Sequence, residues 1–342
     1  MSRDYDLVIR GGLVADGSGG EPYEADPRGF LKRMAGALTD HGMVMRCAVE
    51  NEFSLATRGD DGFAPIDDSL CFSTVGMTAS QEVTDAIVAA LEAQSIQLEQ
   101  FYVELGHGQQ ELSIVHLPVL EAADTQILVR ETIRAVASSF GLVASLAPKP
   151  WPDQAGNGAH VHFSVWDDTG ERNLFHDGGR RYALSETAER FAAGILAHTP
   201  ALLALTAPSF NSFRRLLPQH WSSAFVCWGP DNREATVRVP STFWGLEEPS
   251  TNLEYKPADA SCNPYIAFAG LVAAGLDGFE RGLELPDPML VDPATLSDAE
   301  RERIGASRYP EDLGAALDAL GGDAVLTTAM GEALTTSYIA VR

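Results

Sequence analysis

Two histidines alternate with apolar residues in the segment GNGAHVHFS, which occupies positions 156–164. Alternation with a period of two places His160 and His162 on the same face of a β-strand. The glycines that precede the strand allow the backbone to approach a ligand closely. Two hydrogen-bonded histidines in an ordinary strand would give the same pattern, so the case for a functional site depends on the groups that accompany them.

Acidic residues of matching chemistry lie on both sides of this segment. They are Glu50 and Glu52 in VENEF, Glu104 and Glu111 around LGHGQQ, and Glu254 in NLEY. Carboxylates on one strand face repel each other and resist desolvation unless a cation neutralises them. Oxygen ligands with one imidazole favour Mg²⁺ or Mn²⁺ over structural zinc, which prefers sulfur ligands. The alternative is that these glutamates are ordinary solvated acids on the surface, and this applies above all to Glu50 and Glu52.

Four arginines cluster at positions 214–238 of an otherwise acidic chain: Arg214, Arg215, Arg233 and Arg238. A guanidinium group binds phosphate or carboxylate through two parallel hydrogen bonds. Arginines that face a divalent metal ion are therefore suited to stabilise a phosphoryl group during its transfer. The chain contains no G-x-x-x-x-G-K-[ST] motif, so a nucleotide would be held by another architecture. The alternative is that the four arginines are scattered over the surface and do not share a site.

The hydrophobic pattern along the chain changes repeatedly between the helical and the strand period. It predicts an α+β fold whose antiparallel sheet leaves one face open to solvent or to a site. The expected helices span 27–42, 80–100, 123–140, 184–206, 264–282, 311–320 and 324–332. The expected strands are CAVENEFSL, FYVELGHGQQELSI with its turn, LVASLAPKP, the His-x-His segment, and 224–228, 235–239 and 251–256. Residues 57–79 and 208–221 are expected to be irregular.

Composition limits the classes of protein to which the chain can belong. Its 342 residues carry 48 acidic and 24 basic side chains, for a net charge of −24. Nucleic acid and anionic membranes require basic patches, so neither is an expected partner. The chain shows no apolar run of membrane-spanning length and no signal-sequence layout, so we expect a cytoplasmic protein. Its four cysteines lie far apart and are expected to be reduced and mostly buried.

Seven motifs, in order, resemble the catalytic domain of the glutamine synthetase family. They are VENEF, VELGHGQQE, EAAD, PKPWPDQAGNGAHVHFS, NSFRRLLP, WGPDNREATVRVP and NLEYKPADASCNPYIAFAGLVAAGLDG. The resemblance implies a catalytic domain over residues 27–342, with a twisted antiparallel sheet and flanking helices. The short spacing from Glu104 to Glu111 and the tryptophan of RLLPQHW are more similar to the γ-glutamyl-amine ligases than to housekeeping glutamine synthetase.

The resemblance implies two metal sites, each for Mg²⁺ or Mn²⁺. The metal ion beside the amino-acid substrate would be held by Glu52, Glu104 and Glu111. The metal ion that bridges the ATP phosphates would be held by Glu50, His160 and Glu254. These assignments agree with the chemistry expected from the acidic clusters themselves.

The resemblance also implies positions for ATP and for glutamate or an analogue. ATP would contact His162 and Ser164, with Arg233 and Arg238 around its phosphates, and the carboxylate substrate would contact Gly156, Arg215 and Lys256. ATP would phosphorylate the γ-carboxylate, and ammonia or an amine would then displace phosphate. Arg215, Arg233 and Arg238 would be the catalytic residues, since they offset charge on the phosphoryl oxygens. The family resemblance further implies a homo-oligomer.

Several residues depart from the pattern of the family. Trp221 occupies the position at which ammonia-using members carry a glutamate, which predicts a larger or more apolar amine than ammonia. Asn252 and Lys256 replace the two arginines of an R-x-E-x-R motif, and lysine offers a point charge instead of a fork. Ala155 replaces an asparagine-like residue beside the substrate loop, which leaves a substrate other than plain glutamate open.

The two ends of the chain also differ from the family pattern. Residues 5–26 resemble the opening of N-acyl-D-amino-acid deacylases, and residues 1–26 are expected to form a separate strand and glycine-rich segment. The small N-terminal β-grasp domain of the family is expected to be absent, and the C-terminus TTSYIAVR to be short. A gene fusion, a misjoined gene or a truncated fragment would each produce this pattern.

Two other functions compete with that of a ligase. The first is a non-catalytic or truncated family member that binds nucleotide or associates with complete subunits, as Asn252 and Lys256 suggest. The second is a metal-dependent amidohydrolase that uses HVH as its metal-binding pair, but this pair comes too late in the chain for such an enzyme. ATP binding without turnover would identify the first, and amide hydrolysis without ATP would identify the second.

Overall fold

The computed structural model describes residues 25–60 and 62–342. The deacylase-like segment and the strand expected near the N-terminus lie outside the described residues, apart from their last two positions. The strands are β1 Met43–Gly59, β2 Gly62–Pro65, β3 Leu98–Val103, β4 Gln109–Ile114, β5 Leu117–Pro118, β6 Val143–Ser145, β7 Ala159–Asp167, β8 Phe225–Pro230, β9 Ala235–Val239, β10 Leu253–Tyr255 and β11 Ser307–Arg308. The helices are α1 Pro27–Asp40, α2 Thr74–Glu92, α3 Val119–Ser139, α4 Glu186–Thr206, α5 Ser212–Arg215, α6 Glu247–Ser250, α7 Pro264–Arg281, α8 Asp298–Arg303, α9 Leu313–Gly322, α10 Ala324–Met330 and α11 Glu332–Val341.

The described strands form one sheet, in the spatial order β11-β8-β9-β10-β7-β1-β4-β3. The long strand β1 also pairs with β2, β5 and β6. Neighbouring strands run antiparallel except β8 and β9, which run parallel. Asp231, with a φ of 48°, lies where the chain leaves β8 and returns to the start of β9. The α+β fold is confirmed, and the expectation of purely antiparallel pairing is wrong at this pair.

Strand β1 has one face in the hydrophobic core and one face towards the site. Cys47, Val49 and Phe53 are buried in the core, and α1 and α3 pack against this strand. Successive side chains of a strand point to opposite faces, so Glu50 and Glu52 lie on the other side. The sequence pattern predicted this division, and the structure confirms that both glutamates belong to a strand.

Most expected helices and strands are present, but the bounds differ around residues 57–100, the strand expected over LVASLAPKP is limited to Val143–Ser145, and α8 and α11 were not expected. The segment 57–79, expected to be irregular, contains the end of β1, all of β2 and the start of α2. Helix α2 begins at Thr74 because the Ser73 hydroxyl accepts a hydrogen bond from the Val75 amide at 3.0 Å and caps the helix. It ends at Glu92, so the expected helix over 80–100 is wrong in both bounds. The expected irregular stretch 208–221 likewise contains α5.

The helical layer contains a buried histidine between two carboxylates. His198 of α4 places Nε2 3.0 Å from Asp277 of α7 and Nδ1 2.6 Å from Asp323, which caps α10. Because both ring nitrogens face carboxylate oxygens, both act as donors and the ring is an imidazolium. Burial disfavours that charge, but the hydrogen bonds to Asp323 and Asp277 outweigh it and raise the pKa of His198. The cation thus joins three helices.

Two further expectations from composition can be compared with the structure. All four cysteines are free; Cys47, Cys227 and Cys262 are buried and Cys71 is exposed. The expectation of mostly buried thiols is therefore confirmed. In the described part of the chain, no helix combines the length and the apolar character that a membrane span requires.

Candidate active site

The register of the sheet brings most of the candidate site residues into one row. Glu50 lies directly opposite His160 between β1 and β7, and Glu52 lies opposite Glu111 between β1 and β4. Glu254 of β10 lies between His162 of β7 and Arg238 of β9. Directly opposed residues share a sheet face. Side chains separated by as many as 204 positions in the sequence, from Glu50 to Glu254, therefore point into the same cleft.

Three of these side chains form a compact group of potential metal ligands. Ligand atoms of Glu50, His160 and Glu254 lie within 4.8 Å of one another. His160 Nδ1 is 3.1 Å from Glu50 Oε2 and 3.3 Å from Glu254 Oε1. Burial and the nearby Lys256 ammonium lower the pKa of His160 to about 4, so its ring is neutral at pH 7. A neutral imidazole is the form that binds a metal ion.

The second predicted ligand set lines the same cleft, but its atoms are farther apart. No other group of three His, Cys, Asp or Glu ligand atoms lies within 4.8 Å among the described residues. Glu52 accepts hydrogen bonds from the Gly158 amide at 3.0 Å and from Gln109 Nε2 at 2.8 Å. Burial, together with Glu50 and Glu52, raises the pKa of Glu111 to about 10. The role of Glu52, Glu104 and Glu111 as a second metal site remains a prediction.

Two cavities meet at this row of side chains. The first has a volume of about 270 Å³ and is lined by the five predicted glutamate ligands and by Arg215, Arg233 and Arg238. The second has a volume of about 360 Å³ and is more apolar; it is lined by His162, Ser164, Phe243 and Leu246, among others. Glu50, Gln100 and Arg238 line both cavities. The arrangement can place one polar ligand and one partly apolar ligand end to end.

The two histidines of the His-x-His strand belong to different parts of the site. His162 lines the more apolar cavity, with Nδ1 2.9 Å from Asn252 Oδ1 and Nε2 3.0 Å from Glu50 Oε1. Burial opposes its charge, but Glu50 raises the pKa of His162 to about 9. Ser164 lines the same cavity and accepts a hydrogen bond from the Trp166 indole at 2.8 Å.

Arg215 and Gly156 form one wall of the polar cleft. The Arg215 side chain is buried, and its Nη2 donates to the carbonyl oxygens of Pro257 at 2.5 Å and Ala258 at 3.0 Å. A Cβ atom on Gly156 would lie 2.4 Å from the Pro148 carbonyl oxygen. Glycine is therefore required here by close packing against the protein itself, and the predicted contact of Gly156 with the substrate remains a prediction. Arg214, the other arginine of the pair, does not line either cavity.

The remaining cationic side chains differ in how freely they can meet a ligand. Lys256 is buried, and its Nζ lies 3.1 Å from Glu254 Oε1. Arg238 Nη1 lies 2.7 Å from the other oxygen of Glu254. Burial disfavours the charged form of Glu254, but Lys256 and His162 outweigh this effect and lower the pKa of Glu254 to about 2. Lys256 thus neutralises a carboxylate, and its predicted substrate contact remains a prediction.

Three polar residues that the sequence analysis did not single out support the site. Gln109 bridges Glu52 and the carbonyl oxygen of Gly156, at 2.8 and 2.9 Å. The Tyr102 hydroxyl hydrogen-bonds to Glu111, which lies opposite it between β3 and β4. Glu234 is buried beneath the loop that carries Trp221. Gln109 and Tyr102 lie beside residues of the recognised motifs, and this proximity in the sequence is the one signal that could have indicated their role.

Comparison with known proteins gives one consistent family. The family model described as the glutamine synthetase catalytic domain matches residues 24–342. Gamma-glutamylpolyamine synthetase GlnA3 of Streptomyces coelicolor is 40% identical over 327 residues, which is 94% of this chain and 70% of that protein. A glutamine synthetase of Thermococcus kodakarensis is 36% identical over 316 residues, which is 92% of this chain and 69% of that protein.

Solved structures show the same likeness in three dimensions. A crystal structure described as a novel glutamine synthase homologue has a TM-score of 0.82 at 35% identity, and the match covers 94% of this chain and 71% of that one. A GmaS/ADP complex has a TM-score of 0.84 at 28% identity, and the match covers 94% of this chain and 74% of that one.

Proposed function

Because the chain belongs to the glutamine synthetase family, within its γ-glutamyl-amine ligase-like branch, we propose that it joins the γ-carboxyl group of glutamate, or of a close analogue, to an amine at the expense of ATP. Members of the family are ATP-using, metal-dependent ligases of nitrogen metabolism, and the chain is an enzyme of this type. We also propose that residues 27–342 form the catalytic domain and that the protein is a homo-oligomer, which sedimentation would test.

The observation that carries the proposal is the shared wall between the two cavities. Glu50 and Arg238 face both cavities, so ATP in the more apolar one would direct its phosphates towards a carboxylate in the polar one. His162 and Ser164 would contact the nucleotide. Arg215 would bind the α-carboxylate of the amino acid, because its Nη2 is held by two carbonyl groups and its side chain faces the cleft.

The donor set of the cleft fits divalent cations with a preference for oxygen ligands. Among the described residues, neither lysine nor arginine forms an ion pair with Glu52, Glu104 or Glu111. Burial and the Glu104 carboxylate raise the pKa of Glu52 to about 7, as expected where carboxylates lack a cation. Glu52, Glu104 and Glu111 would hold one Mg²⁺ or Mn²⁺, and Glu50, His160 and Glu254 another. Such ions would offset charge on the ATP phosphates.

The proposed reaction has two steps. The γ-carboxylate attacks the terminal phosphorus of ATP, ADP leaves, and the product is an acyl phosphate. An amine then attacks the carbonyl carbon, inorganic phosphate leaves, and the nitrogen loses a proton. Arg233 and Arg238 line the cleft and would stabilise the negative charge on the transferred phosphoryl oxygens.

The loop that carries Trp221 supports an amine larger than ammonia. The Trp221 side chain lines the polar cleft, and the Arg233 guanidinium lies 5.3 Å from the centre of its ring. An indole offers apolar contact to methylene groups but no counter-charge for ammonium. The relative from Streptomyces coelicolor is a gamma-glutamylpolyamine synthetase by name, which favours the same choice. We infer that the acceptor is an alkylamine or a polyamine.

The test is ADP release by the purified protein with Mg²⁺, ATP and glutamate, with and without ammonia, methylamine, putrescine or spermidine, and with mass spectrometry of the product. Amine-dependent ADP release with a γ-glutamyl amide is expected. Glu50→Gln removes a carboxylate shared by both cavities and should lower the rate at least a hundredfold. Glu302→Gln, an exposed carboxylate on α8, should leave the rate unchanged and serves as the control.

Other outcomes of this experiment lead to other functions. ATP binding without ADP release under any condition would favour a non-catalytic member of the family. Amide hydrolysis without ATP would instead indicate the amidohydrolase chemistry considered from the sequence. Equal rates with the wild type and Glu50→Gln would contradict the assignment of the site.

A further inference from the structure

The loop over the polar cleft has an unusual backbone. It comprises residues 216–223, between α5 and β8, and is called the covering loop below. Gln219, Trp221 and Ser223 have φ angles of 62°, 53° and 69°. Residues other than glycine rarely adopt this left-handed backbone conformation, and it persists only where surrounding contacts hold it. The covering loop therefore needs a firm anchor.

The Glu234 carboxylate provides that anchor. Its Oε1 accepts a hydrogen bond from the Trp221 amide at 2.8 Å, and its Oε2 accepts one from the Gln219 amide at 3.2 Å. The Glu234 side chain is buried, with 5% of its surface exposed. Hydrogen bonds from backbone amides to a charged acceptor in such a place are strong. The carboxylate thus fixes two of the three left-handed residues directly.

Glu234 is itself held by its neighbours. Asn232 accepts a hydrogen bond from the Glu234 amide at 3.0 Å and donates one to the Met289 carbonyl oxygen at 2.9 Å. The preceding residue, Arg233, lies against the Trp221 ring and lines the cleft. Two consecutive residues therefore hold the covering loop, one by its backbone and one by its indole.

We propose that Glu234 is a positioning residue that holds the covering loop over the polar cleft, so that the activated carboxylate meets the amine and not water. This inference rests on the proposed ligase function. An acyl phosphate reacts with water as well as with amines, and a closed site prevents this side reaction. The cavity assigned to ATP has no lining residue from the covering loop, so nucleotide binding is independent of Glu234.

The first test measures how tightly ADP release is coupled to amide formation in the variant Glu234→Gln. The amide side chain keeps one acceptor oxygen and turns an NH₂ group towards the second backbone amide, so one anchoring bond is lost. We expect the ratio of ADP released to amide formed to rise at least fivefold, with the KM for ATP within twofold of the wild-type value. A merely structural role would lower the melting temperature and leave this ratio unchanged, and that result would overturn the proposal. Glu302→Gln is the control and should change neither quantity.

The second test does not depend on activity. Chymotrypsin cleaves after aromatic residues, and Trp221 is 45% exposed whereas Trp244, outside the covering loop, is 99% exposed. Mass spectrometry of limited digests should show cleavage after Trp221 at least tenfold faster in Glu234→Gln, relative to cleavage after Trp244. Glu234→Asp keeps the charge but reaches one amide, so an intermediate rate is expected; this variant replaces Glu234→Gln if the latter does not fold. An unchanged relative rate would overturn the anchoring, whereas a wild-type protein without amide formation would overturn the proposed function and the catalytic part of the inference.

Discussion

Glu254 and Lys256 form a buried ion pair whose disruption can be predicted quantitatively. The Glu254 side chain is fully buried, Lys256 is 2% exposed, and their charged atoms lie 3.1 Å apart. Removing one partner of such a pair leaves an uncompensated charge in the interior and costs about 3–5 kcal/mol. Glu254→Gln should therefore lower the free energy of unfolding by about 3–5 kcal/mol, since it leaves the buried Lys256 ammonium without its carboxylate partner.

The partner substitution should cost less, and the double variant should recover most of the loss. In Lys256→Met the Glu254 carboxylate keeps Arg238 at 2.7 Å, so we expect a loss of about 1–2 kcal/mol. Combining Glu254→Gln with Lys256→Met removes both charges, and replacing a buried pair by neutral groups of similar volume is often close to neutral. The coupling between the two substitutions should be at least about 2 kcal/mol.

Urea unfolding of the four proteins measures these quantities. The double variant should regain stability but not ADP release, because Glu254 is a proposed metal ligand. Glu186→Gln, which breaks the exposed pair with Arg190 on α4, is the control and should have no measurable effect on stability. Additive losses from the two single substitutions would refute the reasoning, because they would show that the Lys256 charge does not depend on Glu254.

Three further predictions concern separate parts of the molecule. Gly156→Ala should raise the KM for the carboxylate substrate at least tenfold, because its Cβ would lie 2.4 Å from a backbone oxygen; Gly36→Ala, with no atom within 4 Å, should leave the KM unchanged. Trp221→Glu should raise kcat/KM for ammonia at least tenfold relative to larger amines, since it supplies a carboxylate for ammonium; an unchanged ratio would place the amine elsewhere. The folded-state pKa of His198 lies above its unfolded value of about 6.5, so its contribution to stability is complete below that pH and is lost as the pH rises through the folded-state pKa. His198→Gln should cost about 1–3 kcal/mol near pH 6 and progressively less at higher pH in chemical unfolding experiments, and an equal cost at all pH values would contradict the imidazolium assignment.

The local part of the site could be predicted from the sequence because strand periodicity is a local property. The alternation in VENEF and HVHFS places Glu50 with Glu52 and His160 with His162, and the structure confirms both strands. Which strands pair, and in which register, depends on contacts between distant segments. The sequence alone therefore could not show that Glu111 lies opposite Glu52. In the same way, the polar composition of residues 57–79 concealed a strand and the start of a helix, since it resembles that of a loop.

The roles of Glu234 and Lys256 could not be predicted for a related reason. In a chain with 48 acidic residues, a single glutamate beside an arginine looks like part of a solvated surface. Glu234 is buried in the fold, where the covering loop, from an earlier part of the chain, hydrogen-bonds to it. Lys256 lines the polar cleft, where its expected contact with the substrate stays a prediction, and nothing in the sequence indicated that it also pairs with Glu254. A charged residue acquires its function from the partner it meets in the fold, and that partner is set by strand register.

The charge balance of the cleft follows from these pairings and bears on how the proposed substrates would bind. Lys256 and Arg238 both lie against Glu254, and Arg215 is partly occupied by backbone carbonyl groups. Among the described residues, neither lysine nor arginine forms an ion pair with Glu52 or Glu111, and burial raises the pKa of both carboxyl groups. ATP and glutamate would each bring further negative charge into this cleft. We therefore expect divalent cations to promote substrate binding as well as the proposed chemistry, because they would offset this charge.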